Sequence, residues 1–175
     1  MLFRSSWACE IPTLNSDMLR KVYPHSVVNG ELQSFFGEHL LSNNISMWKS
    51  IYDSYKLFNN YQNRPEQRKY DYVIRARTDV FPEVNLRELI NLIDQNNVIV
   101  VPETFSHPRN EINDWFAMGT NVSMAKYSEL FNSVDEIILE CLYKYNYWTN
   151  EAGLKLHLDR NGLEVVKIPL KMKFK

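Results

Sequence analysis

The strongest hydrophobic periodicity lies between residues 45 and 61, where Trp48, Ile51, Tyr52, Tyr55 and Phe58 recur at helical spacing. Lys49, Asp53 and Lys56 fall on the wet side, and Asn44 stands where an N-cap is expected. Residues 59–69 (NNYQNRPEQRK) are polar and carry a proline, so a loop follows. Tyr70 to Ile74 (YDYVI) reads as a buried strand, and Leu86, Leu89, Ile90 and Ile93 mark a helix. Asn97 to Val101 (NVIVV) is a short, wholly apolar strand stopped by Pro102. Residues 103–113 have no period and carry His107-Pro108-Arg109, which predicts a loop. Trp115 to Met118 is a third strand, ended by Gly119.

The second half is mostly helical. Ser123 or a neighbour caps a helix running to Phe131. Val134, Ile137, Ile138, Cys141, Leu142 and Tyr145 make a strongly amphipathic one. Thr149 or Asn150 caps a further helix that stops at Asn161-Gly162, although the alternation of Leu154, Leu156 and Leu158 leaves a strand open there. Glu164 to Ile168 is the last strand, stopped by Pro169 and followed by a solvated tail with Lys171, Lys173 and Lys175. Residues 1–42 show little periodicity. Pro12, Pro24 and Asn29-Gly30 mark turns, Leu14, Met18 and Leu19 share a short helical face, and Tyr23 to Val28 can be extended.

Strands alternating with helices predict an α/β fold: one domain over residues 1–175, with a mostly parallel central sheet flanked by helices. Ligands of such sheets bind beyond the carboxyl ends of the strands. That rule selects Arg75–Asp79 and Asn113–Gly119.

Composition acts mainly by exclusion. Twenty Lys and Arg against 21 Asp and Glu give a formal net charge of −1, which argues against a nucleic-acid partner. No apolar run reaches the roughly 18–20 residues of a membrane span. Met1 to Pro12 lacks the apolar core of a secretory signal. The two cysteines, Cys9 and Cys141, can form neither a disulfide framework nor a cysteine zinc site, and read as reduced thiols in a cytoplasmic protein. The glycosylation sequons at Asn44 and Asn121 are then coincidental.

Arg75, Arg77 and Asp79 are the sharpest chemical feature. On an extended chain alternate residues point the same way, so the three can face one site. Two guanidiniums suit a diphosphate, and a carboxylate beside them can hold Mg²⁺ or Mn²⁺. The same residues would also serve as a salt-bridge cluster closing a strand. Asp114, at a loop-to-strand junction, can cap backbone N–H groups or hydrogen-bond a polyol, with Trp115 or Phe116 as an apolar wall. Gly119 permits close backbone approach or a positive φ. Glu151 follows two possible helix caps, where the macrodipole favours it; it would also serve as a general base. Histidines 25, 39, 107 and 157 share no ligand spacing, and no P-loop, G-x-G-x-x-G, G-x-S-x-G or H-E-x-x-H occurs.

The order of these pieces resembles the WavE-type surface-polysaccharide glycosyltransferases, which are GT-A-like enzymes. The resemblance covers roughly residues 45–165: the helix SMWKSI from Ser46, then YDYVIRARTDVF, then NDWFAMGT, then Asn150-Glu151 before a Leu-rich helix. It implies sugar transfer from a nucleotide-diphosphate donor to a glycan or lipid-linked acceptor, with peripheral membrane contact open. Carried onto this chain, Asp79 would hold a divalent metal, Arg75 and Arg77 would lie beside the donor phosphates, Asp114 would fall in the acceptor or donor-sugar region, and Glu151 would be the base or acceptor-binding residue. Arg77 stands where D-x-D enzymes carry their first carboxylate. By the same analogy the opening strand and loop that hold the nucleotide base precede residue 12 and are missing here. That motivates a second expectation, a truncated, non-catalytic GT-A-like binding module. A phosphatase-like enzyme with Asp79 as nucleophile is weaker, because no companion D-x-D or downstream Lys-Asp pair accompanies it.

Overall fold

The computed structural model describes residues 27–28, 31–32, 38–103, 111–145 and 148–174. The expected features at Cys9, Pro12, Leu14, Met18, Leu19, Pro24, His25, Asn29-Gly30 and His107-Pro108-Arg109 lie outside them.

In chain order, β1 (Val27–Val28) pairs antiparallel with β2 (Glu31–Leu32). Helix α1 (Glu38–Gln62) follows, then β3 (Tyr72–Ala76), β4 (Val80–Glu83), α2 (Leu86–Leu92) and β5 (Val98–Pro102). After β6 (Phe116–Thr120) come α3 (Asn121–Ser128), a 3₁₀ turn (Glu129–Ser133), α4 (Val134–Tyr145) and α5 (Asn150–Arg160). The chain continues through β7 (Glu164–Ile168) and β8 (Lys171–Phe174).

The α/β class is as expected, and its central sheet has four strands in the order β3-β6-β5-β7. β6 is antiparallel to both β3 and β5, and β5 is parallel to β7. Three strands therefore run one way, while β6 alone runs against them. The sheet is therefore mixed rather than mostly parallel, since two of its three pairings are antiparallel. Between neighbours only β5 and β7 are parallel, because β6 separates β3 from β5.

Alternation sorts the side chains into two cores. Val73, Ile99, Val101, Ala117 and Val165 face α1, α3, α4 and α5, and pack with Trp48, Met124, Tyr127, Ile137 and Leu154. Tyr72, Val98, Val100, Phe116, Met118 and Val166 face the other way, against Leu89 and Ile93. β5 is buried at every position because both its faces are covered, which explains its unbroken apolar run.

Several boundaries differ from expectation. α1 begins at Glu38, so Asn44 is inside the helix rather than its cap; its Oδ1 accepts from Asn150 Nδ2 at 2.9 Å. α3 is capped by Thr120, whose Oγ1 accepts from Ser123 N at 3.2 Å; Ser123 is inside the helix. Gly119 does not end β6 but lies within it. Thr149 caps α5 as expected, accepting from Ala152 N at 3.0 Å, and Gly162 closes that helix at φ +63°. The strand alternative for Leu154–Leu158 gives way to this helix. The basic tail is a strand: β8 pairs antiparallel with β4, and Lys173 forms an ion pair with Glu83. Among the described residues no helix is long and apolar enough to cross a membrane.

Candidate functional site

The carboxyl ends of β3, β5 and β7 meet the amino end of β6 at one edge of the sheet. Ala76 lies opposite Phe116, and Arg77 N donates to the Trp115 carbonyl at 2.9 Å. The two segments selected from sequence, residues 75–79 and 113–119, are thereby brought together although about 40 positions separate them.

Arg75, Arg77 and Asp79 do not act as one trio. β3 ends at Ala76 and the chain turns through Thr78 and Asp79, so the alternation that would align the three stops. Arg77 grips Asp79 with a two-pronged ion pair, Nε to Oδ1 at 3.0 Å and Nη2 to Oδ2 at 2.7 Å. This pair holds the Asp79 carboxyl below its usual range and raises the Arg77 value. The Arg77 guanidinium also lies 5.9 Å from the centroid of the Trp115 ring.

Arg75 belongs to the helical side. It is two residues from Val73 and opposite Ala117, and both of those pack in the α1–α5 core. It is half-buried, and its Nη1 is enclosed with no hydrogen-bond partner among the described residues.

Asp114 is only 4% exposed, and the charges of both arginines act on it. Burial pushes its carboxyl upward, while Arg75, Arg77 and its own backbone amide pull the other way. Its neighbour makes a second local bond: Asn113 Oδ1 accepts from Trp115 N at 2.7 Å.

Glu151 sits in the first turn of α5, where its backbone carbonyl accepts from Ile112 N at 3.4 Å. That bond sets the start of α5 beside the segment leading to Asp114. Asn150 is structural: its Oδ1 accepts from Trp48 Nε1 at 3.3 Å, while its Nδ2 donates to Asn44, tying α5 to α1.

The sequence reading missed Tyr127. It lies on α3, 0% exposed, and the charges of both Arg75 and Asp114 reach its hydroxyl. Burial is the main cause that pushes this phenol up to about 12, so it stays protonated. At a helical position among Met124 and Leu130 it reads simply as core, and only the fold shows that it feels the charges of Arg75 and Asp114.

Comparison of the chain with protein families, curated proteins and solved structures finds no match.

Proposed function

We propose that this chain is a GT-A-like glycosyltransferase domain of the WavE type. It would move a sugar from a nucleotide-diphosphate donor to a glycan or lipid-linked acceptor in surface-polysaccharide synthesis, on the cytoplasmic side of a membrane. One observation supports the reading: where three co-directional strands end, the segment carrying Arg75 and Arg77 is paired beside the one carrying the buried Asp114, and both arginine charges act on that carboxylate. Arginines at that edge can neutralise the charge that develops on a departing diphosphate, and a water-poor setting strengthens the effect. Asp114, its basicity raised by burial, is suited to take the acceptor proton if the reaction inverts; Glu151 is the other candidate.

Mn²⁺ or Mg²⁺ at Asp79 fits less well. Both oxygens of that carboxylate are held by Arg77. No group of three or more His, Cys, Asp or Glu is placed to hold a metal among the described residues. The chemistry proposed here therefore rests on the arginines.

The test is a thermal-shift screen with UDP, GDP and CDP, each with and without Mn²⁺. A nucleotide at a hundred times its dissociation constant stabilises the fold by about 2.7 kcal/mol, an easily read rise in melting temperature. A flat response to all of them would instead support a non-catalytic binding module.

A further inference from the structure

The end of α5 is tied to α3 by a small cluster of polar groups. His157 Nε2 lies 2.7 Å from the Lys126 carbonyl oxygen. A carbonyl only accepts, so Nε2 carries the proton, and Nδ1 of the neutral ring is a lone pair. That lone pair accepts from Asn161 Nδ2 at 3.4 Å. The same Nδ2 donates to the His157 carbonyl at 2.9 Å, which fixes the way the Asn161 amide points. Lys126 closes the cluster from the α3 side, its Nζ donating to the Asn161 carbonyl at 3.3 Å.

Asn161 is also the C-cap of α5, and its backbone N–H donates to the His157 and Leu158 carbonyls, each at 3.2 Å. Gly162 and Leu163 donate in turn to the carbonyls of Asp159 and Leu158, at 3.1 and 3.0 Å. The turn from α5 into β7 and the seam between α5 and α3 therefore depend on the same two residues, His157 and Asn161.

This cluster suits only the neutral ring. A proton on Nδ1 would face Asn161 Nδ2, donor against donor. Turning the amide over would offer Oδ1 to Nδ1, but would set an acceptor against the His157 carbonyl. The ring is 3% exposed, so water cannot replace the lost bond while the seam is closed. The surrounding charges give no relief. Lys126 on α3 brings an ammonium to Asn161, and Arg160 on α5 itself repels a charged ring. Glu136 and Glu140 on α4 are paired with Arg160, Asp159 is paired with Lys155, and Glu164 on β7 is exposed. The Lys126 carbonyl favours the charged form, and burial outweighs it.

We propose that His157 and Asn161 form an acid-operated latch between α3 and α5: protonation of His157 releases the turn over residues 157–163 while the central sheet stays folded. The opening is local because the bonds it breaks belong to one helix cap and one seam, and none of them to the ladders of β5 and β6. The latch is independent of what the candidate edge binds.

The experiment is amide hydrogen exchange at pH 7.5 and pH 5, corrected for the intrinsic pH dependence of exchange, on wild type, His157→Gln and Asn161→Asp. In wild type, protection of the Asn161, Gly162 and Leu163 amides should fall about tenfold or more at the lower pH, the effect of one proton over one pH unit. The amides of β5 and β6 should keep theirs. His157→Gln, whose amide can donate to the Lys126 carbonyl without titrating, should lose the pH dependence. Asn161→Asp should reverse it, because a carboxylate accepts from the charged ring and repels the lone pair of the neutral one. Unchanged protection of the turn in wild type would overturn the proposal. An equal fall in β5 and β6 would overturn it too, since that marks loss of overall stability and not a latch. A fall that persists in His157→Gln would place the proton elsewhere, with the same consequence. If His157→Gln does not fold, Asn161→Asp decides: a fall as large as that of wild type overturns the latch, and a reversal supports it.

Discussion

At the scale of single residues, burial and neighbouring charge oppose each other at Asp114, and burial wins. Its folded-state value lies above that of the unfolded chain, so holding it ionised at neutral pH costs stability. Asp114→Asn should raise the melting temperature at pH 7 and abolish sugar transfer, and the stability gain should vanish as pH falls toward 4. His157 shows the reverse sign. Its Nε2 lies 2.7 Å from the Lys126 carbonyl, and burial lowers its value below 6.5. Its contribution is intact above the unfolded value and is lost as pH falls from about 6.5 through the folded one. Urea midpoints should therefore decline over that window, and His157→Gln should flatten the decline. Cys141 is fully buried, and burial first of all pushes its thiol up to about 12. Iodoacetamide at pH 8 should leave it unmodified until the chain unfolds. These environments were only partly visible in the sequence. Asn113 as well as Asp114 bonds the local backbone, and Tyr127 feels the charges of Arg75 and Asp114 from a position that reads as core.

At the scale of elements, the pattern was legible where burial is one- or two-sided and continuous. β5, α4, α5 and β7 appear close to their expected places because the two helices each turn an apolar face to one core and the two strands contribute to both cores. β4 and β8 were not legible. VFPE is short and contains proline, and KMKF alternates charge with apolar residues, so each needs the other to become a strand. Gly119 has a reason other than a strand end. A Cβ there would lie 2.4 Å from Ser123 Oγ, 2.8 Å from Ile99 Cδ1 and 3.0 Å from the Val98 carbonyl oxygen. Gly119→Ala should destabilise the protein by about 1–3 kcal/mol through overpacking between β5, β6 and α3, read as a lower urea midpoint at unchanged slope.

At the scale of the whole molecule, strand direction brings the candidate site together. Reversal of β6 places the segment entering that strand, with Asp114 and Trp115, beside the segment leaving β3 at Arg77, next to Arg75 within the strand. Sequence alone selected both segments but could not show that the strand's end separates Arg75 from the Arg77–Asp79 pair. The central claim is that this edge holds a nucleotide diphosphate through its arginines. Its most direct test is calorimetric titration of UDP and GDP into wild type and into Arg75→Met/Arg77→Met, at low and high salt. The account predicts binding by wild type that weakens with salt, and a loss of about a hundredfold or more in the double variant. Equal affinity in the two proteins would contradict it.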